Sequence, residues 1–206
     1  MSPSYKLYYF DFDGGAGEPT RNAFRLAKIP FEDIRVKHGD WPALKATDKC
    51  IYGQMPLLEV DGTQFAQSMA ILRYVGKVAG MYPTDTLEAL RVDELLDAIL
   101  DIRTKISPSY SLPESERIAV RQKLAQNFIR PHLEKLDCRV RENVTHSGYA
   151  VGTKLTIADL AIANEIEGFR SGRLDGIDHS IADNLVSLER IVANVKIALD
   201  HDKPKA

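Results

Sequence analysis

The feature that most constrains this chain is a change in its hydrophobic pattern near Gly80. Before that residue, short apolar runs alternate with segments of helical spacing, which is typical of a sheet packed against helices. From Thr86 onward only helical patterns remain. The sequence therefore predicts an α/β domain over residues 1–80, a linker over 81–85 and an all-helical domain over 86–206.

The first part of the chain is predicted to fold in the order βαβ and then ββα. A helix joins two parallel strands, and Asp61-Gly62 forms the tight turn of a hairpin. Ser68 is expected to cap the last helix, and Gly80 to end it. The predicted strands are 6–10, 31–36, 56–60 and 63–66, the helices are 18–28 and 69–79, and a short helical or irregular segment begins at Asp40-Trp41-Pro42.

The second part of the chain contains only helical segments. Pro131 is expected to kink or divide the segment 114–143, because it lacks a backbone N–H. Residues 155–166 are apolar on nearly all sides and should form a buried central helix, opened by a capping box of Thr156 and Asp159. An apolar stripe in the first helix comprises Val92, Leu95, Leu96, Ile99, Ile102 and Ile106, and the last helix is predicted over 184–200.

Charge and composition argue against several classes of function. The net charge of −2 gives no electrostatic basis for binding nucleic acid or an anionic membrane surface. No window approaches the roughly 18 apolar residues that a membrane helix requires. The N-terminus lacks the pattern of a secretory signal, and Cys50 and Cys138 are expected to be reduced thiols. We therefore expect a cytoplasmic protein.

Tyr9 ends the first predicted strand, where ligands commonly bind in α/β sheets. Taken alone, a tyrosine in such a strand is more simply explained as a core residue. Its neighbour Tyr8 points to the opposite face, so one of the two can be core and the other site. The following loop, residues 12–17, is rich in glycine but contains neither GxGxxG nor GK[ST], which argues against nucleotide binding.

Two further segments are candidate ligand contacts, and each has an ordinary structural explanation. Gln67-Ser68 precedes a helix, whose N-terminal N–H groups and dipole favour an anion, although Ser68 taken alone is more simply explained as a helix cap. Met55-Pro56 opens a strand. A cis bond there would turn the Met55 backbone toward a bound peptide, whereas a trans proline is far commoner.

Taken together, these segments resemble the cytosolic glutathione transferases. Residues 5–10 resemble the family's first strand, and Glu18-Pro19-Thr20-Arg21 resembles the start of its first helix. Residues 54–62 followed by 67–71 are similar to its glutathione-binding signature, and residues 155–159 to the motif that opens its central helix. The motifs occur in order over essentially the whole chain, and the sigma class is the most similar.

The resemblance implies a thioredoxin-like N-terminal domain that binds glutathione and a helical domain that contributes a pocket for a hydrophobic electrophile. It implies a homodimeric detoxification enzyme with glutathione as cosubstrate, no tightly bound cofactor and no metal. The Tyr9 hydroxyl would hold the glutathione sulfur as a thiolate. The implied glutathione-binding residues are Trp41, Lys45, Gln54, Met55, Pro56, Gln67 and Ser68, with Asp101 from the partner subunit, and the implied electrophile pocket includes Phe12, Arg103, Ile106 and Tyr110.

Asp101 has more than one interpretation. Asp93, Asp97 and Asp101 recur every four residues along one helix face, where like charges repel unless they are compensated. In sigma-like relatives, the residue that matches Asp101 reaches the glutamyl amine of glutathione in the neighbouring subunit. The alternatives are a solvated acidic face balanced by Arg91 and Arg103, or a divalent-metal site.

The sequence leaves the second substrate open. Gly15 or Ala16 stands where the sigma pattern has an arginine, and Gln54 stands where many relatives have lysine. The alternatives to conjugation are a glutathione-dependent isomerase of the prostaglandin D synthase type and a non-catalytic, crystallin-like protein. An intact Tyr9 together with Gln67 and Ser68 favours catalysis.

Overall fold

The computed structural model describes residues 2–201, and its N-terminal part contains a mixed four-stranded sheet. Its strands are β1 (Tyr5–Phe10), β2 (Glu32–Val36), β3 (Leu57–Val60) and β4 (Thr63–Phe65), in the order β2-β1-β3-β4. β1 pairs parallel with β2 and antiparallel with β3, which pairs antiparallel with β4. The helices of this part are α1 (Glu18–Leu26), α2 (Trp41–Lys45) and α3 (Ser68–Val78). The predicted βαβ-ββα order is confirmed.

Local sequence signals explain the turns of this part. Asp61 and Gly62 have φ values of 48° and 83°, and a two-residue hairpin turn with both central residues at positive φ follows the right-handed twist of the strands. Gly80 has a φ of 70°, and the N–H of Met81 donates to the carbonyl of Gly76 at 2.7 Å. This is the left-handed helix ending that glycine favours, and it ends α3 as predicted.

The predicted cap of α3 is wrong, because Gln67 and not Ser68 occupies the N-cap position. β4 ends at Phe65, so the chain must turn sharply into the helix, and this turn falls on Gln67. Its φ of 75° and ψ of 105° are rare for a residue other than glycine. Ser68 is already the first helical residue, and no side chain makes a capping hydrogen bond there.

The helical part of the chain surrounds a buried central helix, as predicted. Its helices are α4 (Thr86–Ile106), α5 (Glu114–Leu124), α6 (Arg130–Arg141), α7 (Ile157–Arg170) and α8 (Val186–His201). α7 contacts α1, α3, α4 and α8, and all six residues of the apolar stripe in α4 are buried. No helix within residues 2–201 is long and apolar enough to cross a membrane. Cys50 and Cys138 are free thiols, as expected.

Pro131 divides the long helical segment, as the sequence predicts. It lies in the first turn of α6, and the preceding residues Ala125–Ile129 form a π-helical segment between α5 and α6. A proline in a helix interior removes a backbone donor, and a widened turn is one way for the chain to accommodate the loss.

The start of α7 is fixed by the buried carboxylate of Asp159. It accepts hydrogen bonds from the N–H and the hydroxyl of Thr156, at 2.7 and 2.9 Å, and from the N–H of Ala150 at 2.6 Å. The same helix end meets the N-terminal part of the chain, because the N–H of Ile157 donates to the carbonyl of Met81 at 3.0 Å. The predicted capping box is confirmed. The domain limits at residues 80 and 86 stay a prediction.

Replacing Asp159 by alanine should lower the free energy of unfolding by roughly 2–4 kcal/mol, because buried N–H donors lose their acceptor. Denaturant unfolding followed by circular dichroism measures the change. Asp48→Ala, at an exposed position, is the matched control and should stay within about 0.5 kcal/mol of the parent protein. A loss for Asp159→Ala no larger than that of the control would contradict this account of the helix start.

Candidate functional site

Tyr9 lies near the carboxyl end of β1, with 7% of the residue exposed. The N–H of Ala16 donates a hydrogen bond to its hydroxyl oxygen at 2.9 Å. Burial raises the pKa of Tyr9 above its ordinary value, against lowering effects of the Ala16 N–H, Arg103 and Arg21. The phenol is therefore protonated at neutral pH. No residue within 2–201 accepts its proton, so the hydroxyl can donate to a ligand.

The glycine-rich loop packs directly against the ring of Tyr9. A Cβ atom on Gly15 would lie 2.5 Å from the Tyr9 hydroxyl oxygen, and a Cβ on Gly17 would lie 2.6 Å from its Cγ. Real Cβ atoms do not approach other heavy atoms so closely. The glycines are therefore required by close packing, and the loop covers one side of the tyrosine. The only sequence signal was the density of glycine after the strand.

Arg21 supports this loop, a role that the sequence alone did not reveal. Its side chain is fully buried, at 0% exposure, and its guanidinium carbon lies 5.7 Å from the centroid of the Tyr9 ring. Its hydrogen-bond partners are the carbonyls of Phe10 (3.3 Å) and Phe12 (3.0 Å) and the carboxylates of Glu18 (3.0 Å) and Asp33 (2.9 Å). The guanidinium thus joins the end of β1, the loop, α1 and β2. The available signal in the sequence was that Arg21 lies three residues before Phe24, and so on the same inward face of the helix.

The helical part of the chain contributes a second arginine to the site. Arg103 of α4 donates from Nε to the carboxylate of Glu165 in α7 at 2.8 Å, and both side chains are largely buried. The Nη2 atom of Arg103 is buried and has no hydrogen-bond partner. Its positive charge lowers the pKa of Tyr9, against the larger raising effect of burial. Arg103 therefore supplies positive charge near the phenol, where the loop lacks the expected arginine.

The other predicted pocket residues fall into two groups, those near Tyr9 and one in the core. The ring of Phe12 lies 5.7 Å from that of Tyr9, centroid to centroid. Tyr110 is close enough to the site for Tyr9 and Arg103 to influence its pKa, which partial desolvation raises. Ile106 belongs to the buried core of the helical part. Phe12, Arg103 and Tyr110 thus lie near Tyr9, whereas Ile106 contributes packing.

The peptide bond between Met55 and Pro56 is cis, as the family resemblance implies. Within residues 2–201 the backbone of Met55 makes no hydrogen bond, so its N–H and C=O are open to a ligand. The neighbouring Gln54 is exposed. Gln67 is also exposed and Ser68 is half-buried, at the N-terminus of α3. Both segments border the hairpin that pairs with β1.

Trp41 and Lys45 form a small cluster with the end of β1. The ring of Trp41 lies 5.7 Å from that of Phe10, in an edge-to-face arrangement. The Lys45 ammonium lies 5.9 Å from the centroid of the Trp41 ring. α2 thus places an aromatic side chain and a cation next to the strand that carries Tyr9.

Asp101 differs from the other carboxylates on its helix face. Asp93 and Asp97 both bind Arg73 of α3, at 2.6 and 2.7 Å, whereas Asp101 is exposed and has no ion pair among the described residues. The expected balancing role of Arg103 is wrong, because that side chain turns inward to a glutamate of α7. No three His, Cys, Asp or Glu residues of the described chain are arranged to bind a metal ion.

The fold and the site define a thioredoxin-like protein with an added helical domain, in which a buried phenol lies at the end of β1. Residues 6–77 match the glutathione S-transferase N-terminal domain family, and residues 100–198 match its C-terminal domain family. A glutathione S-transferase of Anopheles gambiae is 34% identical over 99% of this chain and 95% of its own length. The chain belongs to the glutathione S-transferase family, and it is a transferase enzyme.

Solved structures agree with this assignment. The prostaglandin synthase D of Nilaparvata lugens has a TM-score of 0.82 and 29% identity, covering 98% of this chain and 100% of its own. The monomeric glutathione S-transferase Na-GST-3 of Necator americanus has a TM-score of 0.77 and 32% identity, covering 98% of each chain. The family uses glutathione as a cosubstrate and acts on electrophiles.

Replacing Gly17 by alanine should displace the Tyr9 ring and lower the free energy of unfolding by roughly 1–3 kcal/mol, because the new methyl group overlaps the ring. The φ of Gly17 is −87°, so backbone strain does not contribute. Gly168→Ala in α7 is the control, since nothing lies within 4 Å of a Cβ there, and it should be neutral or stabilising. Equal unfolding free energies for the two variants would contradict the packing described for Tyr9.

Proposed function

We propose that Tyr9 donates a hydrogen bond to the sulfur of glutathione and stabilises its thiolate, which then attacks a hydrophobic electrophile. The observation that carries this proposal is the buried, protonated hydroxyl of Tyr9, whose oxygen accepts from Ala16 while its proton is free for a ligand. A thiol with a pKa of about 8.5 is only a few per cent ionised at neutral pH. Lowering that pKa by two units requires about 2.7 kcal/mol. A hydrogen bond to a charged acceptor contributes roughly 1.5–3 kcal/mol.

Glutathione is proposed to lie across the cis proline. The open backbone of Met55 would pair with its cysteinyl unit, as an added strand does. Its γ-glutamyl carboxylate would meet Gln67 and Ser68 at the N-terminus of α3, where N–H groups and the helix dipole favour an anion. The rare backbone conformation of Gln67 supports this assignment, since such strain is common at ligand sites. In the same arrangement, Trp41, Lys45 and Gln54 lie toward the glycyl end.

Arg103 takes the electrostatic role of the arginine that the loop lacks. Its guanidinium acts on the pKa of Tyr9 from α4, and its unpartnered Nη2 is an additional donor for negative charge in the site. In a conjugation the sulfur forms a bond to the electrophilic carbon. In a substitution, the leaving group departs with the electron pair of its bond to that carbon. In an addition to a double bond, the resulting anion takes up a proton. The first strand and the segment around Trp41 support placement in the sigma class.

Tyr9→Phe should slow the conjugation of glutathione to 1-chloro-2,4-dinitrobenzene by about 10- to 100-fold at pH 6.5. The loss should shrink above pH 8.5, because the thiol then ionises without help. The pH profile of kcat/KM should therefore shift upward. Tyr8→Phe is the matched control, since Tyr8 binds Glu59 on the opposite face of the strand. An unchanged pH profile for Tyr9→Phe would remove the role proposed for this hydroxyl.

We also propose that the protein acts as a homodimer in which Asp101 reaches the glutathione of the partner subunit. Asp101 is the carboxylate of its helix face that has no ion pair among the described residues. Exposed apolar side chains on the neighbouring surfaces of α3 and α4, namely Tyr74, Val78, Leu87, Leu90 and Leu100, fit such an interface.

Asp101→Asn should weaken glutathione binding about tenfold in calorimetry while the dimer persists in light scattering, because a charge-assisted hydrogen bond is lost. Asp178→Asn, at an exposed position outside α3 and α4, is the control and should leave the affinity unchanged. A monomer with full glutathione affinity would overturn the cross-subunit role.

A glutathione-dependent isomerase is the second candidate function. The observation that favours it is the similarity to the prostaglandin synthase D of Nilaparvata lugens over essentially the whole chain. In that reaction the same thiolate would attack an endoperoxide oxygen and break the O–O bond, and it would leave again when the S–O bond breaks as the adjacent carbon loses a proton and becomes a carbonyl. Formation of a rearranged product without a net loss of glutathione would favour this function over conjugation.

A further inference from the structure

A third arginine lies over the loop that covers Tyr9. Arg173 follows the end of α7, and its guanidinium carbon lies 5.4 Å from the centroid of the Phe12 ring. A Cβ atom on Gly14 would lie 2.6 Å from Nη2 of Arg173. The guanidinium thus occupies space that any other residue at position 14 would fill, and Gly14 has a φ of 107° that disfavours other residues.

The ring of Phe12 is close both to this guanidinium and to the phenol of Tyr9. Its ring centroid is 5.7 Å from that of Tyr9 and 5.4 Å from the guanidinium carbon of Arg173. The adjacent glycines also place the two groups close together, since Gly14 lies against Arg173 and Gly15 lies against the Tyr9 hydroxyl. Consecutive Cα atoms are about 3.8 Å apart, so the guanidinium lies within about 12 Å of the hydroxyl oxygen.

The charge of Arg173 is uncompensated, unlike that of its neighbours. Arg103 is paired with Glu165, and Arg121, which lies over Tyr110, is paired with Asp175. The side chain of Arg173 is exposed and meets no carboxylate within residues 2–201. Its charge is therefore available to an anionic group of a ligand.

We propose that the second substrate is a hydrophobic electrophile that carries a carboxylate, bound by Arg173 while its apolar part rests on Phe12. This inference depends on the proposed function, because it assigns the substrate class of the same site. A guanidinium matches a carboxylate in a two-pronged geometry, and an aromatic ring beside it gives the apolar part a surface.

Two matched electrophiles test the proposal: 4-chloro-3-nitrobenzoate and its neutral methyl ester. In both, the glutathione thiolate attacks the carbon that bears chlorine, a C–S bond forms, and chloride leaves with the electron pair of the C–Cl bond. Each kcat/KM is divided by the uncatalysed rate constant at the same pH, which corrects for the different reactivity of the two rings.

The parent protein should prefer the carboxylate to the ester by about tenfold after this correction, mainly through KM. Arg173→Gln should remove the preference and leave the ester unchanged, and Arg173→Lys should restore part of it. Arg170→Gln is the control, because Arg170 is a neighbouring arginine already paired with Glu167. An absent preference in the parent protein, or an equal loss of both reactions in Arg173→Gln, overturns the proposal. The second result would assign Arg173 to loop support.

A binding measurement separates this inference from the proposed function. Calorimetry with S-methylglutathione in excess compares unreactive 3-nitrobenzoate with its methyl ester, so no chemistry is needed. Tighter binding of the carboxylate, lost in Arg173→Gln and weakened by added salt, supports the substrate class even where both conjugations fail. Equal binding of the two compounds overturns it even where conjugation succeeds.

Discussion

The buried guanidinium of Arg21 is the interaction on which the geometry of the site depends. A fully buried charge is costly unless ion pairs and hydrogen bonds satisfy it, and Arg21 is satisfied by two carboxylates and two backbone carbonyls. Those carbonyls belong to the chain that leaves β1, so the loop can take only a narrow range of paths. The path it takes brings Gly15 and Gly17 against Tyr9. Arg21 thus fixes the position of the phenol through the loop, although no ligand needs to contact Arg21.

The second constraint comes from α7, which extends from the core of the helical part to the loop. Asp159 fixes its first turn, Asn164 donates from Nδ2 to the carbonyl of Gly15 at 3.0 Å, and Glu165 holds Arg103. Arg173 lies three residues beyond its last residue, Arg170. One helix therefore orders the loop, a charge beside the phenol and a charge over Phe12. The site is held by α7 where Asn164 and Glu165 contact it, and Arg173, beyond the helix end, is exposed.

Periodicity and turn chemistry predicted nearly all the elements of the fold, because strands, amphipathic helices and Asp61-Gly62 leave local signals. The cap of α3 was missed because the turn from β4 falls on Gln67, a residue with no propensity for that conformation. Contacts between distant residues were also missed. Arg103 and Glu165 are separated by 62 positions, and nothing local in either segment indicates the other. The roles of Gly15 and Gly17 likewise depend on a ring that lies several residues earlier in the chain.

The absence of an arginine from the loop changes the electrostatics of the site. A loop arginine would put a full charge next to the phenol, whereas here the neutral N–H of Ala16 polarises the hydroxyl directly and Arg103 acts from α4. Burial still raises the pKa of Tyr9, so the hydroxyl keeps its proton and remains a donor. Small residues in the loop also allow it to lie flat on the ring and leave space at Gly14 for the guanidinium of Arg173. Under the proposed function, Arg103 keeps positive charge beside the phenol from α4, and Arg173 adds a second charge where the electrophile is proposed to bind.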